Sequence, residues 1–117
     1  MRIFRALLVA CAALAACGDA AKLAPLAPDA VVLAFGDSIT FGTGDDTTRA
    51  ELGYPPRLEA LLVQRGRSAV VINAGVPGET TMEGVSRINS VLDPGGEVLL
   101  LMEGTNDIGN RVPIETV

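Results

Sequence analysis

Five apolar residues in a row, Val31-Val32-Leu33-Ala34-Phe35, lead from Asp29-Ala30 into the polar triplet Gly36-Asp37-Ser38. A short unbroken run bounded by turn formers is the pattern of a strand buried on both faces. The period then changes. Between Leu52 and Gly66 the chain carries Pro55-Pro56 at its start, Leu58, Leu61 and Leu62 three and four residues apart, and Arg57, Glu59 and Arg65 elsewhere. This predicts an amphipathic helix ending at a glycine stop. Ala69 to Ile72 is a second short apolar run, closing at Asn73 and the turn-rich Gly75-Val76-Pro77-Gly78. Thr80-Thr81-Met82-Glu83 fits a capping box, and Met82, Val85, Ile88 and Leu92 keep helical spacing until Asp93-Pro94-Gly95-Gly96. Val98 to Met102 is the third run, ending at Glu103-Gly104-Thr105-Asn106-Asp107, and Pro113 to Val117 opens like the first turn of another helix.

The order βαβαβ implies a parallel sheet with right-handed crossovers, in which ligands gather beyond the carboxyl ends of the strands. Three polar clusters therefore fall on one rim: Ser38 with its neighbours, Asn73 to Gly78, and Asn106-Asp107. No internal repeat interrupts this plan.

The N-terminus reads differently. Arg2 and Arg5 precede the apolar run Leu7 to Ala16, which is shorter than the roughly 20 residues a bilayer span needs. The pattern is that of a signal peptide, and Leu14-Ala15-Ala16-Cys17 resembles the lipobox of bacterial lipoproteins, in which the cysteine becomes the lipidated first residue. A plain secretory cut after Ala15, or an uncleaved anchor, is the alternative. On the lipoprotein reading, residues 1–17 are the leader, Cys11 departs with it and Cys17 is consumed by lipid, so no disulfide forms. Gly18 to Ala30, rich in Ala and Pro, is expected to be an extended tether, at about 3.1 Å per residue. The protein would then face the outside of the cytoplasm, held to the membrane through Cys17.

Composition narrows the function. Without Arg2 and Arg5, seven basic residues stand against fourteen acidic ones, a balance of −7 that argues against a nucleic-acid partner. No histidine, no tryptophan and two cysteines leave no cluster with metal-ligand spacing and little aromatic surface for stacking bases or flavins. Neither a metal nor a cofactor is expected. With 49% apolar and 20% charged residues the chain is globular.

The three clusters resemble, in order and spacing, the first three sequence blocks of the SGNH, or GDSL, hydrolase superfamily. Gly36-Asp37-Ser38-Ile39-Thr40 matches the nucleophile block, Asn73-Ala74-Gly75-Val76-Pro77-Gly78-Glu79-Thr80 the glycine block, and Gly104-Thr105-Asn106-Asp107 the GxND block. The resemblance covers Val31 to about Ile108, and the wording of the second and third blocks is most like bacterial arylesterases and lysophospholipase-like thioesterases. It implies a flavodoxin-like three-layer α/β/α fold, of which residues 31–117 supply the first three strands, and hydrolysis of small acyl esters or thioesters through an acyl-serine.

The residue types suit that chemistry. A serine at a strand end in a Gly-Asp-Ser turn holds its hydroxyl clear of the sheet, making Ser38 the candidate nucleophile. Such a triplet also serves merely to cap a turn, and alone it is weak; the company of the other two blocks raises it. Val76-Pro77-Gly78-Glu79 suits a type II turn, with a left-handed glycine third and the Gly78 N–H left free by the turn. By resemblance, the N–H groups of Ser38 and Gly78 and the amide of Asn106 form an oxyanion hole, each donor contributing about 3 kcal/mol to the transition state. Taken singly, Gly78 is equally a turn glycine and Asn106 a loop residue bonding local backbone. Asp37, Asn73 and Asp107 are expected to support these loops by hydrogen bonds, ordinary turn residues being an equal account. Glu79 and Glu103 acquire no role from sequence. Asp45, Asp46 and Arg49 read as a solvated loop near the rim.

The family's base is a histidine preceded by an aspartate three residues earlier, in a block near the chain's end, and this sequence has no histidine. The 117 residues are thus expected to be an incomplete, inactive copy of a longer enzyme, rather than a degenerate member that kept only the scaffold. Two other functions compete. A flavodoxin-like phosphate or nucleotide module is disfavoured by Phe41, where a phosphate loop wants glycine, and by the absence of any basic residue from Val31 to Asp46. A non-catalytic lipoprotein scaffold would fold without reacting.

Overall fold

The computed structural model describes residues 25–45 and 52–117. The leader, Cys17 and most of the Gly18–Ala30 stretch lie outside the described residues, as do Asp46 and Arg49. Among those described, no helix is long and apolar enough to cross a membrane.

Three strands form one parallel sheet: β1 (Val31–Gly36), β2 (Val70–Gly75) and β3 (Val98–Met102), in the order β2-β1-β3. Residues of β1 pair in register with β2 from Val31↔Val70 to Gly36↔Gly75, and with β3 from Val32↔Val98 to Gly36↔Met102. All three strands therefore end at the same margin. Helix α1 (Ser38–Phe41) is a single turn following β1, α2 (Pro55–Gln64) and α3 (Thr81–Leu92) are the crossovers, and α4 (Thr105–Gly109) follows β3. The last turn, Ile114–Thr116, is 3-10. This is the α/β, flavodoxin-like arrangement expected of the first three strands.

Alternation along β1 divides the core between two faces. Val32, Ala34 and Val71 form one side, with Tyr54, Leu58, Leu62, Val98 and Leu100 packed against them beneath α2. Leu33 and Phe35 occupy the other, where Gly84 of α3 lies against the Phe35 ring. The predicted stripe of α3 is rotated from its expected place. Met82 and Val85 are exposed, and Thr81, Gly84, Arg87, Ile88 and Val91 are the covered positions. Leu61 of α2 is likewise exposed, while Leu58 and Leu62 are half-buried.

Two boundaries differ from those the sequence predicts. β2 continues through Asn73-Ala74-Gly75 instead of stopping at Ile72, because the ladder with β1 holds it to the end and Val76 N–H still donates to Gly36 O at 2.8 Å. The end of the expected tether is held to the domain: Ser68 N–H donates to Pro28 O, Val70 N–H to Ala30 O at 3.0 Å, and Arg67 to Leu26 O. Ala30 is fully buried.

Candidate active site

The triplet after β1 is shaped by Asp37. Its carboxylate accepts from Ile39 N–H at 2.9 Å, capping α1, and Asp37 is 1% exposed. Ser38 is thereby the first residue of a helical turn at the strand end, partly exposed, with its carbonyl accepting from Gly42 and Thr43. Helix α1 sits directly across the end of β2. A Cβ on Gly75 would stand 2.2 Å from Phe41 N, so only glycine admits this approach. Asn73 braces the same contact, accepting from Gly75 N–H at 3.0 Å and donating to Phe41 O and Leu52 O at 3.4 and 3.3 Å.

Beyond β2 the chain forms the predicted type II turn. Glu79 N–H donates to Val76 O at 3.2 Å, and Gly78 has φ +82°, a conformation that side chains disfavour. Gly78 is exposed, and its N–H has no partner among the described residues. Helix α3 then starts at a cap in which Thr80 N–H and Oγ both donate to the Glu83 carboxylate, at 2.9 and 2.7 Å.

The loop after β3 ties the other two together. Asn106 Nδ2 donates to Glu79 O at 2.7 Å and lies 3.5 Å from Asp37 Oδ2. Asn106 thus touches the neighbour of Ser38 and the neighbour of Gly78 at once. Next to it, buried Asp107 accepts from Thr81 N–H at 2.9 Å and from Thr81 Oγ at 2.8 Å, pinning the start of α3 to the β3 loop. Asp45, read from sequence as a solvated loop residue, accepts from Gly53 N–H and from Arg57, both at 2.9 Å.

Three groups beneath the rim escaped the sequence reading. Arg87 forks onto both carboxylate oxygens of Glu79, and Glu103 places both of its carboxyl oxygens out of solvent, with no donor reaching them among the described residues. The fork holds the Glu79 carboxyl below its usual range. Burial pushes Glu103 up to about 7, helped by the adjoining Glu79 carboxyl. The signal was weak because Arg87 lies two helical turns from Glu79 and reads as an ordinary polar helix position. Among the described residues no group of acidic, histidine or cysteine side chains could hold a metal.

Fold and rim together define an α/β protein of the flavodoxin-like kind, with serine, glycine and asparagine loops at one carboxyl margin. The chain belongs to the GDSL-like lipase/acylhydrolase family, whose model matches residues 34–117. It is 34% identical over 77 residues to an arylesterase of Vibrio mimicus, covering 65% of this chain and 37% of that protein. Its fold superposes on AlinE4, an SGNH-hydrolase family esterase, with a TM-score of 0.64 and 40% identity over 73% of this chain and 45% of the other. A lipase/acylhydrolase from Enterococcus faecalis gives 0.53 at 32% identity, over 67% of this chain and 40% of the other. The chain spans less than half the length of each of these relatives.

Proposed function

We propose that the protein is a serine ester hydrolase acting on small acyl esters or thioesters. Ser38 Oγ attacks the acyl carbon, the alcohol or thiol leaves, and water releases the acyl group from the serine. The Ser38 and Gly78 N–H groups and the Asn106 amide meet the oxyanion, and Asp37, Asn73 and Asp107 hold their loops. A serine hydroxyl needs a neighbouring base at neutral pH. No histidine is present here, and the base is assigned to the region of the longer relatives that this chain does not match.

The observation that carries this reading is the Asn106 side chain, bonded to Glu79 O and 3.5 Å from Asp37 Oδ2, so that the three strand-end loops meet at one group. Named relatives that are an esterase, an arylesterase and a lipase/acylhydrolase favour ester hydrolysis over phosphate binding. In the full-length protein, Ser38→Ala should abolish hydrolysis of p-nitrophenyl acetate and labelling by a fluorophosphonate, a loss of about 10⁶-fold by analogy with serine proteases. Retention of activity in that variant would overturn the assignment.

We also propose attachment outside the cytoplasm through lipid on Cys17, supported by the Arg2/Arg5 leader and the Leu14–Cys17 motif. Metabolic labelling with a radioactive fatty acid that survives Cys17→Ser would exclude it.

A further inference from the structure

Arg87 touches more of the rim than any other side chain described. Besides the two Glu79 oxygens, its Nη2 donates to Ala74 O at 2.9 Å and Gly36 O at 3.4 Å, and its guanidinium lies 4.0 Å from the centre of the Phe35 ring. Gly36 ends β1 just before Asp37-Ser38. Ala74 lies at the end of β2, and Glu79 follows Gly78. Glu79 is held at two points, its carboxylate by Arg87 and its carbonyl by Asn106. One cation on α3 is therefore connected to the loop bearing each of the three candidate oxyanion donors. The planar fork and the stacked ring suit arginine and not lysine, whose ammonium is a point charge.

Glu103, at the end of β3, completes the cluster. The charged groups facing it are Glu79 from the β2 loop, Asp37 from the β1 loop and Arg87 from α3. Neighbouring carboxyls out of water disfavour each other's charge. Arg87 holds Glu79 as the anion, and Glu103, its carboxyl oxygens buried with no hydrogen-bond partner among the described residues, is the group whose ionisation the cluster opposes.

We infer that Arg87, acting through Glu79 with the buried Glu103 carboxyl beneath it, is a positioning residue that fixes where the Gly78 N–H and the Asn106 amide stand. This rests on the oxyanion reading of the preceding subsection. Its consequence is that loss of the Glu103 proton sets like charges against each other beneath the Gly78 turn, so turnover falls on the alkaline side even with the base fully active.

The test is kcat and KM for p-nitrophenyl acetate across pH in the full-length protein, for wild type, Arg87→Lys and Glu103→Gln, with Ser38→Ala in parallel. Arg87→Lys should lower kcat by about 10²-fold with KM little changed, the effect of misplacing donors by about an ångström. Wild type should show an alkaline fall in kcat near pH 7, and Glu103→Gln, a permanently neutral donor, should move that fall upward by a unit or more. A merely structural ion pair leaves the pH profile unmoved. Arg87→Lys with kcat within about threefold of wild type, or a Glu103→Gln profile superimposable on wild type, overturns the inference. If Arg87→Lys does not fold, the Glu103→Gln profile decides alone. Hydrolysis persisting in Ser38→Ala defeats the serine reading itself. A dead Ser38→Ala beside unaltered Arg87→Lys and Glu103→Gln defeats only the positioning role.

Discussion

The two faces of the sheet are made from similar residues and end differently. Under α2, Val32, Ala34 and Val71 are each at most 8% exposed, and the neighbouring strand β3 contributes half-buried Val98 and Leu100. On the α3 side, Leu33 and Phe35 of the central strand are as deeply buried, yet Ile72 of β2 and Leu101 of β3 are 41% and 61% exposed. Helix α3 covers the middle of that face only. What meets Phe35 most closely there is a glycine and a guanidinium. One face is closed by apolar packing; the other is closed at its centre by a polar clamp that also reaches the rim. The order of the candidate site therefore depends on β1 and on Arg87 more than on the amount of apolar surface covered.

Truncating the buried centre should have the greatest effect. Phe35→Ala removes a 1% exposed ring that touches both Gly84 and Arg87, and should cost about 3–5 kcal/mol, enough to unfold a marginal domain. A urea midpoint shifted by less than the equivalent of about 1 kcal/mol would show that the clamp does not lean on the ring.

An intermediate effect is expected from pH. Glu103 titrates higher in the folded protein than its ordinary 4.5, so the folded state holds a proton that the unfolded chain gives up. The stability of neutral Glu103 is fully present below about pH 4.5 and is lost as pH rises to about 7. Glu79 and Glu83, both held below their ordinary values, act in the opposite sense at lower pH. Melting temperature should fall between pH 5 and 8, and Glu103→Gln should flatten that part of the curve. A wild-type curve that rises across the interval contradicts the buried acid pair.

The smallest effect belongs to the open flank. Leu101→Ser, at a position 61% exposed, should change stability by less than about 0.5 kcal/mol. Its measurable consequence is weaker self-association by sedimentation, since exposed strands and apolar patches invite pairing.

How much of this could be read from the letters differs from element to element. β1 and β3 were legible because short apolar runs between turn formers have few other uses, and the α3 start because Thr80 and Glu83 cap locally. The Gly78 turn was legible for the same reason, its conformation being set by two adjacent residues. The inward face of α3 was not. Its apolar spacing points to Met82 and Val85, but Phe35 selects Gly84 and Arg87, one for its closeness and one for its charge over the ring. The apolar run stops at Ile72, although pairing with β1 carries the strand on to Gly75.

The sequence alone determined the strands, the crossover order, the three rim loops and the family, since each is encoded by residues near one another along the chain. Tertiary structure alone decided which of those residues touch and which are shut from water: that Asn106 bridges Asp37 and Glu79, that Arg87 grips Glu79 and the β1 and β2 ends, and that the Glu103 carboxyl is buried without a partner among the described residues. Such contacts join positions 8 to 69 residues apart, and their strength comes from burial, which no local pattern of letters records.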